Sequence, residues 1–108
     1  MTIRRRLDDD ELAIVHDVLD HAAPGDADRL LEDPVWEDIA RSGRRHFAAV
    51  VDPDVYAQLT RNGASWALEV VPRAGIDGEA GEAALGEVLG VARREGGGTV
   101  HWWVHRPT

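Results

Sequence analysis

Trp66-Ala-Leu-Glu-Val-Val-Pro72, Arg73-Ala-Gly75-Ile-Asp-Gly78-Glu-Ala-Gly81, the set Leu85, Val88, Leu89 and Ala92, Gly96-Gly-Gly98, and Thr99-Val-His-Trp-Trp-Val-His105 form the stretch that decides the fold. The first run is rich in β-branched and aromatic residues and is closed by proline, the pattern of a strand. Leu85, Val88, Leu89 and Ala92 recur at helical spacing, and the three glycines end the helix. In the last run, alternation puts Val100, Trp102 and Val104 on one side and His101, Trp103 and His105 on the other. A strand, helix and strand joined by a crossover of this length pair in parallel, so the final strand is expected beside Trp66–Val71.

Upstream, His46–Val51 and Val55–Thr60 have the same strand character and are separated by Asp52-Pro-Asp54. Arg61-Asn-Gly63 then leads into Trp66. Two tight connections in succession predict an antiparallel meander, so the sheet is mixed. Two helices are expected before it. Asp8 and Glu11 form a capping box, and Leu12, Val15 and Leu19, broadened by Ile14 and Val18, share a face until Pro24-Gly25. A second helical stretch runs from about Asp26 to Arg41, broken at Asp33-Pro34, with Leu30, Leu31, Val35, Trp36 and Ile39 as its apolar side and Ser42-Gly43 as its stop. Residues 2–7 can form a short strand. The expected order is β-α-α-β-β-β-α-β in one α+β domain spanning 1–108.

Composition sets the boundaries. With 108 residues the chain has room for one domain. Acidic residues outnumber basic ones, 20 to 12, giving a formal charge of −8 that repels phosphate backbones and anionic lipid. No nucleic-acid partner and no membrane association are expected. The absence of cysteine excludes disulfides, thiolate metal sites and thiol catalysis. The cationic opening at Arg4–Arg6 runs into Asp8–Glu11 rather than an apolar run, so it is no signal peptide, and no segment reaches the ~18 apolar residues of a membrane span. A cytoplasmic protein is expected.

The order of elements resembles the GNAT superfamily of acyl-CoA-dependent N-acyltransferases over nearly the whole chain. The resemblance is sharpest from Ala67–Pro72 through Gly75–Gly81 into Ala83-Ala-Leu85, which looks like that family's strand, proline, glycine-rich turn and helix. Within the family, Tyr56-Ala-Gln-Leu59, Glu69-Val-Val-Pro72 and Trp103-Val-His105 look most like actinobacterial mycothiol synthases. The resemblance implies acetyl-CoA as a substrate. Its pantetheine arm would pair with the backbone of Leu68, Glu69 and Val70, where the strand splays from the terminal one. Its pyrophosphate would lie on Gly75, Ile76, Asp77, Gly78, Glu79, Ala80 and Gly81, since free N–H groups at a helix start, aided by the helix dipole, hold anions. It further implies acetyl transfer to the amine of a small-molecule acceptor. Three departures stand against this. There is no basic residue from Ala74 to Leu89, while Asp77, Glu79 and Glu82 are carboxylates. The spacing after Pro72 is shifted, and the family's further helix and two strands have no counterpart before Thr108, so a truncated or degenerate GNAT-like domain is expected.

Each candidate residue also has an ordinary reading. The loop can be a glycine-containing turn without a ligand, because glycine is the default where φ is positive. Glu69 could deprotonate an attacking amine as a general base, yet a solvent-facing glutamate on a half-buried sheet is the commoner outcome. Tyr56 could protonate a departing thiolate, as tyrosines do in some members of the family, although it lies on an early strand. His101 and His105 flank Trp103 without a third ligand, so no metal is expected; lining a core or groove is their ordinary role. His16 and His21 read as surface residues on the first helix, and His46 as a solvated one. Trp36, Trp66, Trp102 and Trp103 fit apolar patterns and read as packing. The terminal strand, rich in Trp and Val, would be an exposed edge prone to pairing, which predicts a homodimer through it. Two functions follow: an N-acetyltransferase, or a catalytically inactive relic acting as a protein-interaction or dimerisation module.

Overall fold

The computed structural model describes residues 2–23, 30, 36–43, 46–76 and 78–103, with the side chains of residues 62, 102 and 103 outside that description. The expectations for residues 24–29, 31–35, 44–45, 77 and 104–108 therefore lie outside the described residues. The strands are β1 (Ile3–Arg4), β2 (Ala48–Asp52), β3 (Val55–Asn62), β4 (Ser65–Pro72) and β5 (Thr99–Trp103), and the described helices are α1 (Asp9–Asp20), α2 (Trp36–Ser42) and α3 (Gly78–Arg94). The sheet order is β1-β2-β3-β4-β5, antiparallel up to β4 and parallel between β4 and β5. The α+β class and the mixed sheet are as the sequence predicts.

Local chemistry explains the elements. The capping box closes as read: Glu11 N–H donates to Asp8 Oδ1 at 2.8 Å and Asp8 N–H to Glu11 Oε1 at 3.1 Å, so two orphan donors at the start of α1 are satisfied reciprocally. Pro53-Asp54 and Gly63-Ala64 make two-residue turns, as the pairs Asp52↔Val55 and Asn62↔Ser65 require. Asp54 N–H donates to Asp52 Oδ1 at 2.9 Å, a side-chain turn that needs no glycine. Gly63, with φ 63°, supplies the left-handed position in the other turn.

Two expectations shift. Only Ile3 and Arg4 of the first run pair with β2, since the chain leaves the sheet to reach Leu7, whose N–H donates to Ala40 O at 2.9 Å. The helix read as starting after Gly81 begins at Gly78, so Gly78, Glu79, Ala80 and Gly81 are its first turn rather than loop. The glycines bear a helical conformation as well as a turn, and periodicity counted from Leu85 could not see a first turn without large apolar side chains.

The sheet is covered on both faces. On one, Leu12, Val15, Val18 and Leu19 of α1 and Trp36 and Ala40 of α2 pack with Phe47, Ala49, Tyr56 and Val71. On the other, Ala84, Val88, Val91 and Ala92 of α3 pack with Ala48, Val50, Val55, Ala57, Leu59, Trp66, Leu68 and Val70. Among the described residues no helix is long and apolar enough to cross a membrane.

Candidate functional site

Strand alternation sorts the site residues. Leu68 and Val70 point to α3 and are buried there, whereas Glu69 points to the α1 face. The register sets Glu69 opposite Gln58 on β3 and opposite Trp103 on β5, and sets Tyr56 opposite Val71 on β4. Tyr56, Gln58 and Glu69 therefore share one face of the two central strands. Tyr56 is fully buried, and Gln58 and Glu69 are each 7% exposed. The Tyr56 hydroxyl donates to Gln58 Oε1 at 2.8 Å, and its ring lies 6.0 Å from that of Trp36. Burial, and after it the charge of Glu69, push the Tyr56 hydroxyl far above its ordinary pKa, so it keeps its proton.

This arrangement corrects one expectation, joins two candidates and adds a residue. Glu69 is not a solvent-facing glutamate. Its alternation with Leu68 and Val70 marks two inner faces, because helices cover both sides of the sheet. Tyr56, separated from Glu69 in sequence, is brought to it by the β3–β4 register. Gln58 was not singled out from sequence. Its signal was the Tyr-x-Gln spacing, which puts both side chains on one strand face.

The loop after β4 is fastened to α1. Ala74 N–H donates to His21 O at 2.8 Å, and Ala22 and Arg73 form an isolated bridge. Arg73 N–H donates to Asp54 O at 2.8 Å, its Nε to Pro53 O at 3.1 Å, and its guanidinium pairs with Asp17. Ile76 N–H donates to Arg73 O at 3.3 Å, and Gly75 takes φ 85°, a left-handed turn that glycine permits. α3 opens at Gly78, so the N–H groups of its first turn point along the axis towards the loop. A Cβ at Gly78 would meet nothing within 4 Å, and one at Gly81 would reach Val70 Cγ1 at 4.0 Å. The site has donors and room for an anion, but Glu79 lies in the first turn and Glu82 follows. At β4, Leu68 pairs with Trp102 and Glu69 with Trp103, so the described ladder to β5 runs through these residues and a splay would begin after Glu69.

The remaining candidates have structural work. His46, expected to be solvated, is partly buried in a left-handed conformation with φ 66°. Its ring meets Trp66 edge-on at 5.6 Å, and its Nδ1 lies 3.1 Å from Glu95 Oε2. Glu95 also pairs with Arg5. Burial raises the Glu95 pKa, but the bonds from His46 and Arg5 outweigh it and hold the carboxyl below its ordinary value. Trp66 is buried as read, with Nε1 donating to Gly97 O at 3.1 Å and the Arg61 guanidinium 4.8 Å above its ring. His16 is exposed and pairs with Glu37, His21 is exposed with Nδ1 2.8 Å from Asp17 O, and His101 is exposed on β5. Among the described residues no cluster of three or more metal-ligating side chains occurs.

Compared with known proteins, the chain matches no family model, and no curated protein matches its sequence significantly. The chemistry of the site has to be argued from its geometry. A buried carboxylate beside a neutral phenol and an amide can accept a proton from an attacking nucleophile and orient polar groups of a substrate. The N–H groups at a helix start, aided by the helix dipole, can receive a phosphate.

Proposed function

We propose that this chain is a GNAT-like domain that binds acetyl-CoA and transfers the acetyl group to the amine of a small acceptor. The observation that carries the reading is that Glu69 and Tyr56 share the buried face of β3 and β4, Glu69 opposite Gln58 and Tyr56 opposite Val71, towards the sheet end from which the loop enters α3. In this mechanism the amine attacks the thioester carbonyl directly, the C–N bond forms as the C–S bond breaks, the amine's proton passes to Glu69, and the departing thiolate takes up one proton from solvent, to which Glu69 returns its own. The backbone of Leu68–Val70 orients the thioester arm, and the N–H groups of Gly78–Gly81 receive the diphosphate. Tyr56 acts as a neutral donor that holds Gln58 in place. Its hydroxyl is enclosed, so it is a positioning group and Glu69 is the base.

A second reading, an interaction module without catalysis, is favoured by one observation. The carboxylates Glu79 and Glu82 stand at the helix start where a diphosphate would lie, and repel it over the ~8 Å range that physiological salt leaves unscreened. Calorimetric titration with acetyl-CoA at low ionic strength separates the two, run on the native chain and on Asp77→Ala/Glu79→Ala. Micromolar binding by the native chain is expected. Heat from the variant alone would favour the module, and no heat from either would sink the acyl-CoA reading.

A further inference from the structure

Arg73 immediately precedes a stretch, Ala74 to Ala92, that holds no basic residue. Its hydrogen bonds fall into two kinds. The backbone N–H and Nε are fixed to the main-chain oxygens of Asp54 and Pro53, at 2.8 and 3.1 Å. The outer Nη2 meets the carboxylate of Asp17, a side chain that is 55% exposed on α1. The neutral carbonyls thus aim the guanidinium, and an exposed anion fills its outer position. Asp17 has a further hold, with Oδ1 3.3 Å from His21 Nδ1. Asp20 follows in the same helix turn, and Asp54 supplies its carbonyl from the β2–β3 turn.

We propose that Asp17 is a built-in occupant of an anion seat on Arg73, an autoinhibitory contact that a diphosphate-bearing ligand of the adjoining loop displaces. The ligand class rests on the acyl-CoA reading, and the seat rests on the Arg73 geometry. A guanidinium presents the same planar fork to carboxylate and phosphate. An exposed ion pair contributes little, so exchanging one anion for another is cheap. When Asp17 leaves, the bonds to Pro53 and Asp54 keep the guanidinium fixed to the β2–β3 turn, beside the residue from which the loop departs, and Asp17 retains His21. The cation that opens the loop is then available to a phosphate only in competition with the protein's own carboxylate.

The test is calorimetric titration with inorganic pyrophosphate, and in parallel with acetyl-CoA, at low ionic strength. Asp17→Asn is expected to tighten pyrophosphate about 5-fold, the scale of one exposed ion pair. Asp20→Asn, which removes a charge from the same turn without freeing Arg73, is expected to change affinity less than about 1.5-fold. Adding Arg73→Gln to Asp17→Asn is expected to abolish the gain. If circular dichroism shows that Arg73→Gln does not fold, Arg73→Lys replaces it, and the gain should shrink, because lysine has neither the planar fork nor an Nε for Pro53 to aim. The seat is overturned if Asp17→Asn gives no gain, if Asp20→Asn gives the same gain, if the gain survives Arg73→Gln or stays undiminished with Arg73→Lys, or if no variant binds pyrophosphate. Acetyl-CoA bound by the native chain with equal affinity in Asp17→Asn would remove the seat and keep the acyl-CoA reading. A pyrophosphate gain without acetyl-CoA binding by any variant would do the reverse.

Discussion

The two faces of the sheet are built from the same strands and behave differently. Beneath α3, every buried residue of β2, β3 and β4 is apolar, from Ala48 and Val50 through Leu59 to Trp66 and Val70. Beneath α1 and α2, Phe47, Ala49 and Val71 share their layer with Tyr56, Gln58 and Glu69. An apolar face contributes stability through area and close packing alone. A buried polar cluster needs partners for each donor and acceptor, and among the described residues no buried side-chain nitrogen or oxygen lacks one. Both faces bury a large apolar cluster, and the α1 face alone adds buried polar side chains to it.

Truncations on the two faces should separate in size. Leu59→Ala removes a fully buried side chain from the α3 face, and a loss of about 3 kcal/mol is expected in denaturant unfolding. A loss below about 1 kcal/mol would mean that this face collapses around the void and is not the firmer of the two. Tyr56→Phe deletes one hydroxyl and strands Gln58 Oε1, for an expected loss of about 1.5 kcal/mol. A neutral result would show that the bond to Gln58 does not persist in solution. The smallest effect lies where the end of α3 meets the start of the sheet. Because the folded-state pKa of Glu95 is lowered, its contribution is complete above the ordinary value of 4.5 and is lost as pH falls through the lower folded value. Glu95→Gln should flatten that acid limb by less than about 1 kcal/mol. An unchanged limb would assign the acid sensitivity elsewhere.

Element order, the meander and the parallel return strand were legible because each has a local signal: the capping box at Asp8, Gly63 in a two-residue turn, and the helical spacing of Leu85, Val88 and Ala92. Glu69 and Tyr56 were visible as residue types but not as neighbours, since their meeting depends on the β3–β4 register. The burial of Glu69 was misread because alternation does not distinguish a wet face from a second covered one. Arg73 was passed over because its role comes from Asp17, Pro53 and Asp54, which reach it only through tertiary structure. The start of α3 was misplaced because four small or acidic residues, Gly78–Gly81, form its first turn.

Gly78, Gly81, Gly86 and Gly90 all lie within α3. A Cβ at Gly86 would meet nothing within 4 Å, so packing does not demand glycine there. Each interior glycine costs about 1 kcal/mol against alanine, and most helical stability in a folded protein comes from packing rather than propensity. What propensity withholds, the sheet supplies: Ala84, Val88, Val91 and Ala92 are held by Leu68, Val70 and their neighbours, so the path to the return strand keeps its shape only through the surface it lies on.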